Sequence, residues 1–195
     1  MMRNNDKIEH YLNTLPDIET ERLIIRKFTP DDVKPFFEMM ISAEVVKYLS
    51  GSINSIEKAE KFLKKQIDKY SIGNGSSFAV VLKESGELIG NIVLNIDKEN
   101  YSAEISYVIN DKYWNKGYAT EVCKSLISLA FDSLDLNRVE ADVVDLNKAS
   151  IRVLEKIGMK YEGKHRQAAY DDKTNSFHDF EIFSVLKKEY KKNIV

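Results

Sequence analysis

The chain carries a single cysteine, Cys123, in 195 residues, so no internal disulfide forms and no cysteine-based zinc site can be assembled. Its neighbours Val122 and Leu126 put it on an apolar helix face, as a small buried hydrophobe rather than a nucleophile. The three histidines, His10, His165 and His178, have no metal-ligand spacing, and no metal site is expected. A basic excess is absent too. Lysines and arginines number 29 against 31 acidic residues, for a formal charge of -2, which gives no support to general nucleic-acid binding. The polar N-terminus, MMRNNDKIEHYLNTLP, lacks the apolar centre of a secretory signal, and no run approaches membrane-spanning length. There is no internal repeat, low-complexity segment or linker. The expectation is a soluble, cytoplasmic chain with neither a direct nucleic-acid partner nor a membrane partner.

What is present is a core. A hydrophobic share of 43% over this length suits one domain. Residues 1–16 read as a polar, partly helical N-terminal extension outside the main fold, and 17–195 as the domain. Arg22 to Lys27 reads as a strand. Thr29-Pro30-Asp31-Asp32 supplies an N-cap, a proline at the first helical position and acids in the first turn. Val33, Phe36, Phe37 and Met40 then face a core at helical spacing, and a second helix starts near Ser55. Phe78 to Leu82, Leu88 to Ile96 and Ala103 to Ile109 read as strands, the first two joined by Glu84-Ser85-Gly86-Glu87. The helical period returns from Tyr118 to Leu134. Arg138 to Asp145 is another strand, and Ser150 to Ile157 a short helix closed by Gly158. Lys160 to Arg166 and Asp179 to Leu186 are the last strands, around a polar loop. The order βααβββαβαββ predicts an α+β layer fold with a mixed, mostly antiparallel sheet.

The stretch from Glu104 to Glu121, EISYVINDKYWNKGYATE, carries the chemistry. A strand runs into a loop punctuated by Gly117, and a long helix starts at once. Such a loop aims consecutive backbone N–H groups and the positive end of the helix dipole at one spot, as a phosphate or pyrophosphate site requires. Gly117 and Ala119 permit close approach, and Lys116 adds a charge to the rim. On spacing alone, an ordinary strand-to-helix turn fits equally well.

Several motifs in order resemble one family. Ile18-Glu19-Thr20-Glu21-Arg22-Leu23 with Arg26, Tyr113 to Glu121 (YWNKGYATE), Asn147-Lys148-Ala149-Ser150 with Val153 to Met159, and the closing Phe177-His178-Asp179 and Leu186 to Tyr190 resemble the GNAT N-acetyltransferases. Within them they are similar to the ribosomal-protein N-terminal (serine/alanine) acetyltransferases. The resemblance covers residues 18 to 190 and implies the GNAT fold, a twisted sheet flanked by helices with a splayed parallel strand pair that binds acetyl-CoA. It implies that Tyr107, Val108 and Ile109 offer backbone groups to the pantetheine arm, that Asn115, Lys116, Gly117, Tyr118, Ala119 and Thr120 hold the pyrophosphate, and that Asn147 bonds the pantetheine amides. Asn147 is equally suited to capping the next helix.

Transfer to an amine needs the neutral amine, placement, and relief of charge on the oxyanion and the departing thiolate. Glu104 is the candidate base, four residues before Val108 and so on the same strand face; a surface glutamate is the plain alternative. A backbone N–H around Val108 is the candidate oxyanion donor. The tyrosine that protonates the thiolate in many members is replaced by Leu154. Ser150 takes that role in the branch resembled, with helix capping as its alternative. The implied partners are acetyl-CoA and an amine, a protein or peptide N-terminus by resemblance, and homodimers are common in the family. Two alternatives stand beside this: a small-molecule acceptor such as a polyamine or aminoglycoside, and a non-catalytic acyl-CoA-binding module, which Leu154 keeps open.

Overall fold

The computed structural model describes residues 4–49, 53–73, 75–171 and 174–190. The first three residues of the expected extension, Asp172 and Lys173 of the polar loop, and 191–195 of the expected domain lie outside them. In chain order the elements are α1 (Asn4–Thr14), β1 (Ile18–Glu19), β2 (Leu23–Arg26), α2 (Val33–Met40), α3 (Ala43–Val46), α4 (Ile56–Tyr70), β3 (Ser77–Leu82), β4 (Leu88–Asp97), β5 (Ser102–Ile109), α5 (Tyr118–Ser128), β6 (Arg138–Val144), α6 (Lys148–Lys156), β7 (Lys160–Asp171), β8 (Ser176–Leu186) and α7 (Lys187–Tyr190). The strands form one eight-stranded sheet in the order β1-β2-β3-β4-β5-β6-β8-β7. Every neighbouring pair is antiparallel except β5 and β6.

Both faces of the sheet are covered at β3, and the sequence shows why. In β3 the run SFAVVL has no polar alternation: Phe78 and Val80 enter the core beneath α1, α5 and α6, while Ala79 and Val81 enter the one beneath α2 and α4. Hydrophobic residues at every position are what a strand buried on two sides requires. The second core is organised by aromatic contacts, with Phe36 stacked on Phe62 at 5.4 Å and edge-on to Phe28 at 5.7 Å. Arg26 reaches Asp32 with two hydrogen bonds of 2.7 and 2.9 Å, and Asp32 also accepts the Thr29 N–H at 2.8 Å. The expected Thr-Pro-Asp-Asp helix start is thus a 3₁₀ turn, Pro30–Asp32, that feeds α2.

The N-terminal segment corrects one expectation. Instead of lying outside the fold, α1 and the residue after it bury Ile8, Tyr11 and Leu15 in the main core. Spacings of three and four residues put them on one helix side, and each such burial contributes about 1.5–3 kcal/mol. Helix α5 continues as a π turn over Leu129–Ser133, which closes with the Leu134 N–H on the Leu129 carbonyl. Gly158 ends α6 at φ +87°, as the sequence predicts.

The decisive feature is the parallel pair. β5 and β6 match only over Ser102↔Arg138, Ala103↔Val139 and Glu104↔Glu140. Beyond Glu104, β5 stays bonded to β4 as far as Ile109, and β6 stays bonded to β8 as far as Val144, so the two strands part. No helix among the described residues is long and apolar enough to cross a membrane.

Candidate active site

The parting strands open a cleft of about 460 Å³. Backbone groups that lose their partner there are identified by the ladder. In an antiparallel pair, alternate residues turn both N–H and C=O to the same neighbour. The Asn110 N–H bonds the Ile89 carbonyl on the β4 side, so Val108 also faces β4, while Tyr107 and Ile109 face the gap left by β6. This corrects the expectation for Val108. It lines the cleft, but its backbone is committed to β4, and strand-addition contacts fall to its two neighbours. The Ile109 carbonyl is taken by the Trp114 indole N–H at 2.6 Å, which leaves the Ile109 and Tyr107 N–H groups as the oxyanion candidates.

At one end of the cleft the chain curls into α5. Asn115 (φ +61°) and Gly117 (φ +84°) are both left-handed, a conformation that asparagine tolerates and glycine adopts without steric cost. Gly117 is the N-cap and no side chain caps the helix, so the N–H groups of Tyr118, Ala119 and Thr120 have neither an intrahelical nor a capping acceptor. Asn115, Gly117, Tyr118, Ala119 and Thr120 all line the cleft. Lys116 does not: its carbonyl accepts Arg22 Nη1 at 3.0 Å and its ammonium lies 5.1 Å from the Tyr113 ring centre.

A latch unmarked by local spacing holds this loop. Glu121 accepts Thr20 Oγ1 at 2.6 Å, the Arg22 backbone N–H at 2.9 Å and Arg22 Nε at 2.7 Å, and the Arg22 guanidinium lies over the Tyr118 ring at 4.4 Å. Burial pushes the Glu121 carboxyl up, but the Thr20 and Arg22 hydrogen bonds outweigh it and hold the group below its ordinary value. A second residue missed in the sequence is Gly90 on β4. A Cβ there would lie 2.4 Å from the Val108 carbonyl oxygen and 2.7 Å from Ile109 Cδ1, so only glycine lets β4 approach β5 at the cleft.

Asn147 and Ser150 line the opposite wall. Asn147 Oδ1 accepts the Ser150 N–H at 3.1 Å, so the capping alternative is realised at a residue that also faces the cleft. The Ser150 backbone is thereby satisfied, and its hydroxyl is free of the capping job. Leu154 lies one turn further on and is buried in the core. Tyr107 projects from β5 into the cleft that Ser150 also lines; its hydroxyl is buried without a hydrogen-bond partner, and burial raises it above the ordinary tyrosine value, with Ser150 lowering it. Burial likewise raises the Cys123 thiol, in keeping with a packing role.

Glu104 is not brought to this cleft. It is exposed and faces a separate hollow of about 210 Å³ with Glu140 and Asp97, because it belongs to the last pair before the strands part. The carboxylate that does line the cleft is Asp142, two residues beyond Glu140 on the same face of β6. Asp142 is also exposed to solvent at the mouth, and the partial desolvation it meets there raises its carboxyl; His165 lowers it and Glu140 raises it further. Around it, Val45, Tyr48 and Leu49 from α3 and the segment after it, Val144 from β6 and Phe180 from β8 form an apolar mouth.

A sheet split at its one parallel pair, with an uncapped helix start at the split, has close counterparts. The family described as the acetyltransferase (GNAT) domain matches residues 22–160. The chain is 35% identical over 173 residues to the uncharacterized N-acetyltransferase p20 of Bacillus licheniformis, covering 88% of this chain and 96% of that one. It is 33% identical over 177 residues to YdaF of Bacillus subtilis, whose name proposes ribosomal N-acetyltransferase activity, covering 87% and 94%. A crystal structure of a GNAT-family acetyltransferase from Bacillus anthracis superposes with a TM-score of 0.80 at 31% identity, over 89% of this chain and 100% of that one. The chain belongs to the GNAT acetyltransferases, enzymes that take their acetyl group from acetyl-CoA.

Proposed function

We propose that this acetyltransferase acts on the α-amino group of a protein N-terminus. The observation that carries the reading is the shape of the cleft, which runs through the sheet between β5 and β6 from the uncapped start of α5 to an apolar mouth with one carboxylate. The N–H groups of Tyr118, Ala119 and Thr120, with Asn115 and Gly117 at the same end, hold the pyrophosphate there. Tyr107 and Ile109 receive the pantetheine arm as an added strand, and Asn147 meets its amides from the α6 side. The acceptor enters at the mouth lined by Val45, Tyr48, Leu49 and Phe180, on the sheet face shared by Asp142.

The chemistry follows from that placement. The neutral amine attacks the thioester carbonyl, the C–N bond forms as the carbonyl π pair moves to oxygen, and an N–H of Tyr107 or Ile109 receives the oxyanion. The surplus proton on nitrogen passes to Asp142 or, through water, to Glu104. The C–S bond then breaks with its electron pair on sulfur, and the Ser150 hydroxyl donates a hydrogen bond to the developing thiolate. Of the two candidate bases, Glu104 acts only through water from its neighbouring hollow, whereas Asp142 stands in the cleft itself. An α-amino group, with pKa about 7.7–8.0 against about 10.4 for lysine, is cheaper to deprotonate by roughly 3 kcal/mol. A weak carboxylate base therefore favours an N-terminus. The similarity to YdaF supports the same acceptor class.

The test is thiol release from acetyl-CoA with peptides bearing free N-termini, polyamines and aminoglycosides, using wild type and Gly117→Glu. Peptide-dependent release that Gly117→Glu abolishes supports the reading. Release with small amines alone transfers the assignment to a metabolite or drug acetyltransferase, and CoA binding without release on any amine supports the non-catalytic module.

A further inference from the structure

We infer that Tyr107 is a positioning residue for the leaving-group step, which it governs through Ser150; this rests on the Ser150 role proposed above. A serine hydroxyl is a poor stand-in for the tyrosine that Leu154 replaces, because it is a free rotor with one proton and several directions in which to spend it. The phenol of Tyr107 removes that freedom. Its hydroxyl is buried and holds no hydrogen bond in this structure, and Ser150 is the hydrogen-bonding side chain within its reach. Both side chains line the cleft, one from β5 and one from the first turn of α6. Asn147 already takes the Ser150 backbone N–H, which fixes where the Ser150 side chain begins.

When the Tyr107 O–H donates to Ser150 Oγ, that oxygen is occupied as an acceptor and its own hydrogen must point elsewhere. The open direction is the cleft, where the sulfur of the thioester departs. Donation to Oγ also makes the serine a stronger donor, since hydrogen bonds in a chain polarise one another in a low-dielectric site. No proton has to leave Tyr107. The C–S electron pair goes to sulfur, Ser150 stabilises it by hydrogen bonding, and the thiolate takes its proton from water after release. Burial keeps the phenol neutral, so it remains a donor throughout the working pH range.

The experiment compares Tyr107→Phe, Ser150→Ala and the double variant in single-turnover acetyl transfer to whichever amine of the panel gives release. KM for acetyl-CoA and the thermal midpoint are measured beside the rate. Tyr107→Phe is expected to slow transfer roughly 3–10-fold, the value of one hydrogen bond, with KM for acetyl-CoA and the midpoint near wild type. Ser150→Ala is expected to slow it at least as much, and the double variant no further than Ser150→Ala alone. A purely structural tyrosine would move the midpoint or KM instead. A slow Ser150→Ala beside a wild-type Tyr107→Phe, or losses that multiply in the double variant, overturns the inference and leaves Ser150 in place. A wild-type rate for Ser150→Ala overturns both.

Discussion

Substituting Glu121 by glutamine keeps the side-chain shape and one acceptor oxygen but removes the charge that gathers Thr20 and Arg22 onto the start of α5. The wild-type carboxylate accepts three hydrogen bonds of 2.6–2.9 Å and pairs with Arg22 Nη2 at 2.6 Å. Hydrogen bonds to a charged group are worth about 1.5–3 kcal/mol each when buried. The Arg22 side chain is 42% exposed, so its share is screened toward the roughly 0–1 kcal/mol of a surface pair. A net loss of about 1–2 kcal/mol follows for Glu121→Gln. In a domain of this size that lowers the thermal midpoint by about 2–8 °C.

The loss also has a local part. Arg22 holds the Lys116 carbonyl from the same guanidinium, so a released Arg22 loosens the pyrophosphate loop. KM for acetyl-CoA is expected to rise roughly 2–10-fold, the value of one hydrogen bond, with kcat close to wild type because Glu121 does not line the cleft. The pH dependence has a definite sign. The folded carboxyl sits below its ordinary value, so its contribution is present above about pH 4.3 and is lost as pH falls through the folded pKa. The midpoint gap between wild type and variant should close on that descent. Thermal melts from pH 7 to 3 with acetyl-CoA titrations at neutral pH measure both parts. A variant that melts with wild type at pH 7, or a gap that persists to pH 3, refutes the latch.

Three further outcomes are expected. Gly90→Ala places a Cβ against the Val108 carbonyl oxygen and must push β5 into the cleft, so acetyl-CoA binding measured by calorimetry should fall at least tenfold; unchanged affinity would show that β4 yields instead. Asp142→Asn should raise the acceptor KM or lower kcat while leaving the thermal midpoint unchanged or slightly higher, because a carboxyl raised by burial opposes folding above its pKa and that cost disappears as pH falls. Glu104→Gln should be the milder of the two in pH–rate profiles, and the reverse order would return the base to Glu104.

What could be read in advance divides along sequence separation. The strand, loop and uncapped helix start at Gly117 were legible because they are contiguous, and Gly117 is a local signal for a left-handed cap. The strands came through for a related reason: Phe78 to Leu82 of β3 and all but Asn91 of the first half of β4 lack polar side chains, which follows from two covered faces. Glu104 shows the limit. Its parity along β5 correctly puts it on the face of Val108, yet its depth depends on where β5 parts from β6. That register pairs it with Glu140, a residue 36 positions away, and no local pattern contains it. The latch was hidden for the same reason, since Thr20 and Glu121 stand 101 positions apart. The burial of α1 was hidden by composition, with Ile8, Tyr11 and Leu15 set in an otherwise polar stretch.

The same division explains why the donor can be named and the acceptor only proposed. The half of the cleft proposed for acetyl-CoA offers backbone groups, whose position is set by the strand, the loop and the helix start, and whose chemistry is the same in any side-chain context. The mouth uses side chains instead, from α3 and its following segment, from β6 and from β8. A family retains the first half as long as it retains acetyl-CoA, while each acceptor demands its own second half. On the proposed reading, exchanging Tyr48, Leu49, Asp142 and Phe180 for a relative's residues should change the preferred amine while acetyl-CoA affinity stays within about twofold, because these four line the mouth and not the start of α5.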